Sequence, residues 1–179
     1  MSSQLVVTAV GSDRVGIVDD ISQILLEFDC NIEESRMTLL GGEFAMMLLV
    51  SGAEEAVGAV ATALPECGER LGLDFFVKKT YEAATTGAGI PYQLDCVSLD
   101  TPGIVHVVTG LLRERGISID DLETETTGAP FTGAPLFRMR VTCIIPKSVS
   151  VGKLRSELQE IAESHDLDIS VQPLVAGKE

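Results

Sequence analysis

Two hexapeptides carry the strongest hint of chemistry in this chain: Asp13-Arg14-Val15-Gly16-Ile17-Val18 and Asp100-Thr101-Pro102-Gly103-Ile104-Val105. Each follows an apolar stretch and opens another. A glycine at a strand-to-helix junction lets the backbone turn sharply and lets another molecule approach it closely. The junction also presents the first backbone N–H groups of the helix, which have no partner inside it. Those donors, backed by the helix dipole, suit a carboxylate. A zwitterion docked there needs an acceptor for its ammonium group, and Asp13, Asp100 or the side-chain oxygen of Asn31 is available. The plainer alternative is that Gly merely permits the turn while Asp13 or a neighbour caps the helix start.

Other candidates for chemistry are weaker. His106 lies early in a helix, aligned with Asp19 of the first hexapeptide's helix, and reads as a packed or solvent-facing residue. His165 sits at a helix end, where a cation suits the dipole. The acidic pairs Asp19-Asp20, Glu33-Glu34 and Asp120-Asp121 diverge from one another on a helix or strand, with no His spaced to join them, so they read as solvated charge. The four cysteines (Cys30, Cys67, Cys96, Cys143) are far apart without a C-x-x-C, which reads as buried or half-buried free thiols in a reducing compartment. The segment TGAGIPY has no third glycine and no helix after it, so it is no dinucleotide fingerprint. Phosphate-loop and nucleophile-elbow motifs are absent. No enzyme activity, metal or cofactor is expected.

The elements that position the two turns come in two copies. An 87-residue shift lays Asp13 on Asp100, Gly16 on Gly103, Ile17 on Ile104, Val18 on Val105, Leu25 on Leu112, Ile32 on Ile119 and Glu33 on Asp120. Phe44 and Met46 then answer to Phe137 and Met139, so the second copy carries six extra residues between. A repeat of this length outranks any local pattern. In each copy a β-branched strand (residues 4–10) precedes a helix whose Ile17, Ile21, Ile24, Leu25 and Phe28 share one face. A charged edge strand (31–40) follows, then Gly41-Gly42 as a two-residue hairpin turn, and the apolar central strand FAMMLLV. A second helix starts near Ala53 and loosens near Pro65, and LDFFVKK closes the copy. Gly116 reads as the left-handed cap of the second copy's first helix.

The order βαββαβ is ferredoxin-like: an α+β fold with an antiparallel four-stranded sheet carrying both helices on one face. We expect a first domain over 1–80, a Gly/Thr/Ala linker over 81–91 and a second domain over 92–175. The 179 residues suit two small domains. The net charge of −14, acidic in both halves, argues against direct nucleic-acid binding, which draws on Lys and Arg. The amino terminus lacks a positive region and a long apolar core, and no run is long enough to cross a bilayer. A cytoplasmic protein without a membrane role is expected.

Asp13-Arg14-x-Gly16-Ile17-Val18, a helix, then Cys30-Asn31-Ile32 resembles the signature of the ACT domain, a small amino-acid-sensing module. The second copy resembles it through Asp100 to Val105 and then Gly116-Ile117-Ser118-Ile119. The resemblance implies ligand contacts between the first strand-to-helix turn of one unit and the start of the next strand of a neighbouring unit. By position these are Asp13, Arg14, Gly16, Ile17, Asn31 and Ile32, then Asp100, Gly103, Ile104 and Ser118. Two such domains and no other resemble the family of glycine cleavage system transcriptional repressors, as do the stretches GAPFTGAPLFRM and IIPKSVSVGKLRSELQEIA. That resemblance implies a non-catalytic regulator that senses a small amino acid, glycine first, and acts through a DNA-binding protein partner. ACT sheets commonly extend across subunits, so a homodimer is expected. A purely structural interaction module, or a detached regulatory subunit of an amino-acid metabolic enzyme, is the alternative.

Overall fold

A computed structural model describes residues 2–81, 89–129 and 133–174. The chain divides into two compact units at the 84/85 boundary. Each is βαββαβ. The first contains β1 (Ser2–Ser12), α1 (Ile17–Glu27), β2 (Asn31–Leu40), β3 (Glu43–Ala53), α2 (Glu54–Leu71) and β4 (Leu73–Thr80). The second contains β5 (Gly89–Leu99), α3 (Ile104–Glu114), β6 (Ser118–Gly128), β7 (Pro135–Pro146), α4 (Val151–His165) and β8 (Asp168–Pro173). The sheets run β2-β3-β1-β4 and β6-β7-β5-β8, antiparallel throughout. This is the α+β, ferredoxin-like repeat that the sequence pattern predicts.

Alternation along the central strands builds the two cores. In β3, Phe44, Met46, Leu48 and Val50 are buried, and β1 matches them with Leu5, Val7 and Ala9. The α1 residues Ile17, Ile21, Ile24 and Leu25 and the α2 residues Val57, Val60 and Leu64 cover that face. The second unit repeats this with Leu94, Cys96, Met139, Val141, Val108, Leu112, Leu154 and Leu158. Cys96 and Cys143 belong to this core; burial first, then Asp168 and Asp120 respectively, pushes each thiol up to about 11. Both therefore stay protonated at neutral pH and react slowly.

The local signals behave as their residues demand. Gly41 and Gly42 take φ of 62° and 90° and turn the β2–β3 hairpin. Gly116 is left-handed at φ 65°, and Asp29, its counterpart in the first unit, is left-handed too. Around both residues the chain bonds back on the helix in the same way, Cys30 N–H to Leu25 O and Ile117 N–H to Leu112 O, each at 2.9 Å.

Three readings of the sequence are corrected. The composition of 81–91 reads as linker, yet β5 already begins at Gly89, which pairs with Pro146. Glycine is needed there because a Cβ would lie 2.4 Å from Ile144 Cγ2. Pro91 is tolerated because it stands at the end of the β5–β8 ladder, which begins at Tyr92: it supplies no N–H there, and its carbonyl still accepts from Leu174 N–H at 2.9 Å. Residues 82–88 lie outside the described residues. Pro65 does not loosen α2, which runs unbroken to Leu71 before Gly72 caps it. Finally, no side chain caps α1: Gly16 itself holds the N-cap position, and Asp13 lies too far upstream to do so.

An ion pair ties the two helices of the second unit together. Arg115, at the end of α3, donates to both carboxylate oxygens of Glu157 on α4, at 2.7 and 2.6 Å. Those bonds from Arg115 hold the Glu157 carboxyl below its ordinary value of 4.5. A carboxylate with a lowered folded pKa adds stability that is fully present above the unfolded value and is lost as pH falls through the folded one. Glu157→Gln is therefore expected to lower the melting temperature of the second unit at pH 7. Below about pH 4 the gap from the wild-type chain should shrink, as thermal melts at stepped pH would show.

Candidate functional site

The Asp-x-x-Gly-Ile-Val turn has the same geometry in both units. Gly16 and Gly103 adopt φ of 91° and 100°, a backbone that an L side chain enters only with strain. Each accepts the first helical bond, from Asp20 N–H at 2.9 Å and Val107 N–H at 3.0 Å. A Cβ on either glycine would meet nothing within 4 Å. The glycine is thus required by backbone conformation rather than by crowding, and open space lies over the helix start. Ile17 and Ile104 turn inward and anchor the first helical turn in the core. The aspartates act through the backbone: Asp13 N–H donates to Gly42 O at 3.4 Å, and Asp100 N–H to Pro135 O at 3.1 Å. Each bond ties the turn to the tip of the adjacent hairpin.

Side chains around the turns differ between the units. Arg14 pairs with Asp20 on the first turns of α1 at 2.6 Å, which holds a guanidinium beside the Gly16 turn. The second unit has Thr101 and Val107 at the corresponding positions.

The start of the second strand carries the other predicted residues. Asn31 donates through its amide to Glu33 at 3.1 Å, and the Ser51 hydroxyl donates to the same carboxylate oxygen. The Ser51 and Asn31 bonds hold the Glu33 carboxyl below the ordinary carboxylate range, so it is anionic at neutral pH. Glu33 falls at a break in the β2–β3 register between Ile32 and Glu34, and Asp120 falls at the equivalent break between Ile119 and Asp121. Such a bulge re-aims the extra residue. The sequence reading, which took Glu33 as solvated charge, misses both the bulge and the cluster. The signal available was the Glu33–Asp120 match in the repeat. Asn31 and Ile32 also line an open groove of about 610 Å³ between α1 and β2, together with Asp19, Ser22, Gln23, Leu25, Leu26 and Cys30. Burial, then Asp29, raises the Cys30 thiol.

Within one unit the turn and the strand start do not meet. Asn31 pairs with Ser51, which pairs with Gln4 at the beginning of β1, whereas the turn follows Ser12 at the far end of that strand. Eight residues of strand span about 26 Å. Ser118 likewise pairs with Ile144, opposite Pro91, whereas Asp100 follows Leu99 at the other end of β5. Among the described residues, no group of three or more His, Cys, Asp or Glu could hold a metal ion, and no helix is long and apolar enough to cross a membrane.

This architecture defines a tandem ACT-domain protein: a family model described as ACT domain matches residues 3–78, within the first unit. The chain belongs to the family of the glycine cleavage system transcriptional repressor. It is 30% identical to the Escherichia coli protein of that name over 165 residues, 90% of this chain and 86% of that one. A protein of the UPF0237 family from Methanopyrus kandleri is 44% identical over 78 residues, 42% of this chain and 87% of its own length. Among solved structures, a protein of unknown function from Galdieria sulphuraria superposes with a TM-score of 0.80 at 35% identity, covering 98% of this chain and all of that one. A candidate glycine cleavage system transcriptional repressor shares the fold at a TM-score of 0.72 and 24% identity, over 97% and 98% of the two chains.

Proposed function

We propose that the chain is a non-catalytic regulator that binds a small amino acid and passes the bound state to a protein partner. The observation that carries this reading is the uncapped helix start behind a left-handed glycine, repeated in both units, where a Cβ would meet no described atom within 4 Å. A carboxylate suits the N–H groups of that turn and the Arg14 guanidinium. An ammonium group suits the Glu33 carboxylate and the Asn31 oxygen. Glycine is the first ligand to try, because the Escherichia coli relative is named for glycine cleavage. The net charge of −14 disfavours direct contact with nucleic-acid phosphates, so a protein partner, such as a transcriptional activator, is the reader in this account. Ligand binding would favour one arrangement of units over another and so needs unequal affinity for the two.

Calorimetric titration of the purified chain with glycine, serine, alanine and the branched-chain amino acids tests the reading. Saturable binding that Asn31→Ala abolishes is the expected result. No heat and no thermal stabilisation with any of them would leave the turns as structural caps, and the chain as an interaction module.

A further inference from the structure

Helices α1 and α2 cover one face of the first unit's sheet, and the opposite face is apolar at its centre. We infer that this open face docks a second copy of the chain, sheet against sheet, about a two-fold axis parallel to the strands. Such a contact differs from the edge-to-edge extension of sheets, because it buries side chains and adds no strand pairing.

Successive strand residues point to opposite faces, so Leu5, Val7 and Ala9 face the helices while Val6, Thr8 and Val10 face away. Strand register sets these in three rungs across the sheet. The first is Thr38–Ala45–Val10–Asp74, the second Arg36–Met47–Thr8–Phe76, and the third Glu34–Leu49–Val6–Lys78. Phe76 is 67% exposed and Met47 54%, neighbours on a face that is otherwise half-buried at its centre. The equivalent face of the second unit is charged instead. Arg138 and Arg140 replace Ala45 and Met47, while Asp95 and Ser170 replace Thr8 and Phe76. Arg140 pairs there with Asp95 at 3.2 Å, and taking such a pair out of water is costly.

The rim of the apolar face selects a second copy as its occupant. A two-fold axis running between β3 and β1 reverses every rung. Glu34 then lies over Lys78 of the second copy, Arg36 over its Phe76 and Thr38 over its Asp74. These are an ion pair, a cation on an aromatic face and a hydroxyl on a carboxylate. At the centre, Leu49 meets Val6 and Ala45 meets Val10. An axis across the strands would instead set Arg36 against its own copy. The same reversal on the second unit would lay Glu125 over Asp168, two like charges. Packed sheets lie about 10 Å apart and twisted by about 30°, which shifts facing edge residues by about one residue, within reach of Glu, Lys and Arg. Within a chain Glu34 meets Arg36 at 3.8 Å, an exposed contact worth little.

Charge reversal tests this in the full chain, with sedimentation velocity from low to high micromolar concentration. The wild type should dimerise as concentration rises. Glu34→Lys and Lys78→Glu should each weaken the dimer at least about tenfold, because each sets like charges together at both edges. Mixing the two variants should return most of the wild-type affinity, since every edge of the mixed dimer is again of opposite sign. Met47→Asp, at the centre, should abolish the dimer, and mixing should not rescue it. Thermal melts establish that the variants are folded. A wild type that stays monomeric overturns the inference. So does a dimer that survives Met47→Asp, which would show the copies meeting elsewhere, or a mixture no tighter than its components. No amino acid enters the experiment, so its outcome is independent of the sensing reading.

Discussion

Replacing Gly11 with valine is expected to unfold the first unit and leave the second folded. Gly11 faces inward on β1, in line with the buried Leu5, Val7 and Ala9, and pairs with Phe44 on one side and Leu73 on the other. A Cβ there would lie 2.3 Å from the carbonyl oxygen of Gly72, the residue that caps α2 and leads into β4. That neighbour is backbone, held at φ 68° between a helix and a strand, so it cannot swing aside as a side chain would. Overpacking a core usually costs about 1–3 kcal/mol, and a clash with fixed backbone belongs at or above the top of that range. Gly16→Ala offers a contrast, since its added methyl meets open space and only the left-handed backbone is strained, by about 1–2 kcal/mol. Hydrogen exchange followed separately in the two units would show β1 and β3 unprotected in Gly11→Val, with β5 and β7 unchanged. The second unit explains its own tolerance. Ser98 occupies the position equivalent to Gly11, and β8, which begins at Asp168 opposite Val97, has not yet started alongside it.

Phe44→Ala is expected to cost about 3–5 kcal/mol, most of the stability of a unit this small. The ring is 1% exposed, the largest of the fully buried side chains. It lies across from the missing side chain of Gly11, so the surrounding layer has little with which to fill the gap. Urea denaturation should shift the first unit's transition far to lower concentration. The two substitutions are neighbours, and neighbouring effects need not add. Here the cavity left by Phe44→Ala cannot relieve Gly11→Val, whose clash is with the Gly72 carbonyl rather than with the ring. The double variant should be no more stable than either single one.

Residue patterns foretell the fold wherever a local physical requirement acts alone. Alternation in FAMMLLV, the Ile17-Ile21-Ile24-Leu25 stripe, and the glycines at 41, 42 and 116 all take the conformations their chemistry demands. The pattern misleads where two requirements compete. Gly89 and Pro91 carry linker composition, but the length of β7 on the facing side draws them into a strand. Pro65 carries a helix-breaking signal, yet α2 continues because its apolar face is fixed by Val57, Val60 and Leu64 against the sheet. At the candidate site the repeated glycine is legible, since its positive φ is a property of one residue. The Glu33 cluster is not, because a bulge depends on the partner strand and the bond from Ser51 to Glu33 joins residues eighteen apart. Nor does spacing along the chain reveal that Arg14 and Asn31 stand at opposite ends of one sheet; only strand register does.

The most direct test of the central claim is a nuclear magnetic resonance titration of the isotope-labelled chain with glycine, and with serine and alanine in parallel. If the protein senses a small amino acid at these turns, saturable shifts will concentrate on the backbone amides of Gly16 and Ile17 and on the side-chain amide of Asn31. The counterparts at Gly103, Ile104 and Ser118 will move less. Spectra that stay unchanged through millimolar concentrations of all three, or saturable shifts confined to other surfaces, would contradict the claim.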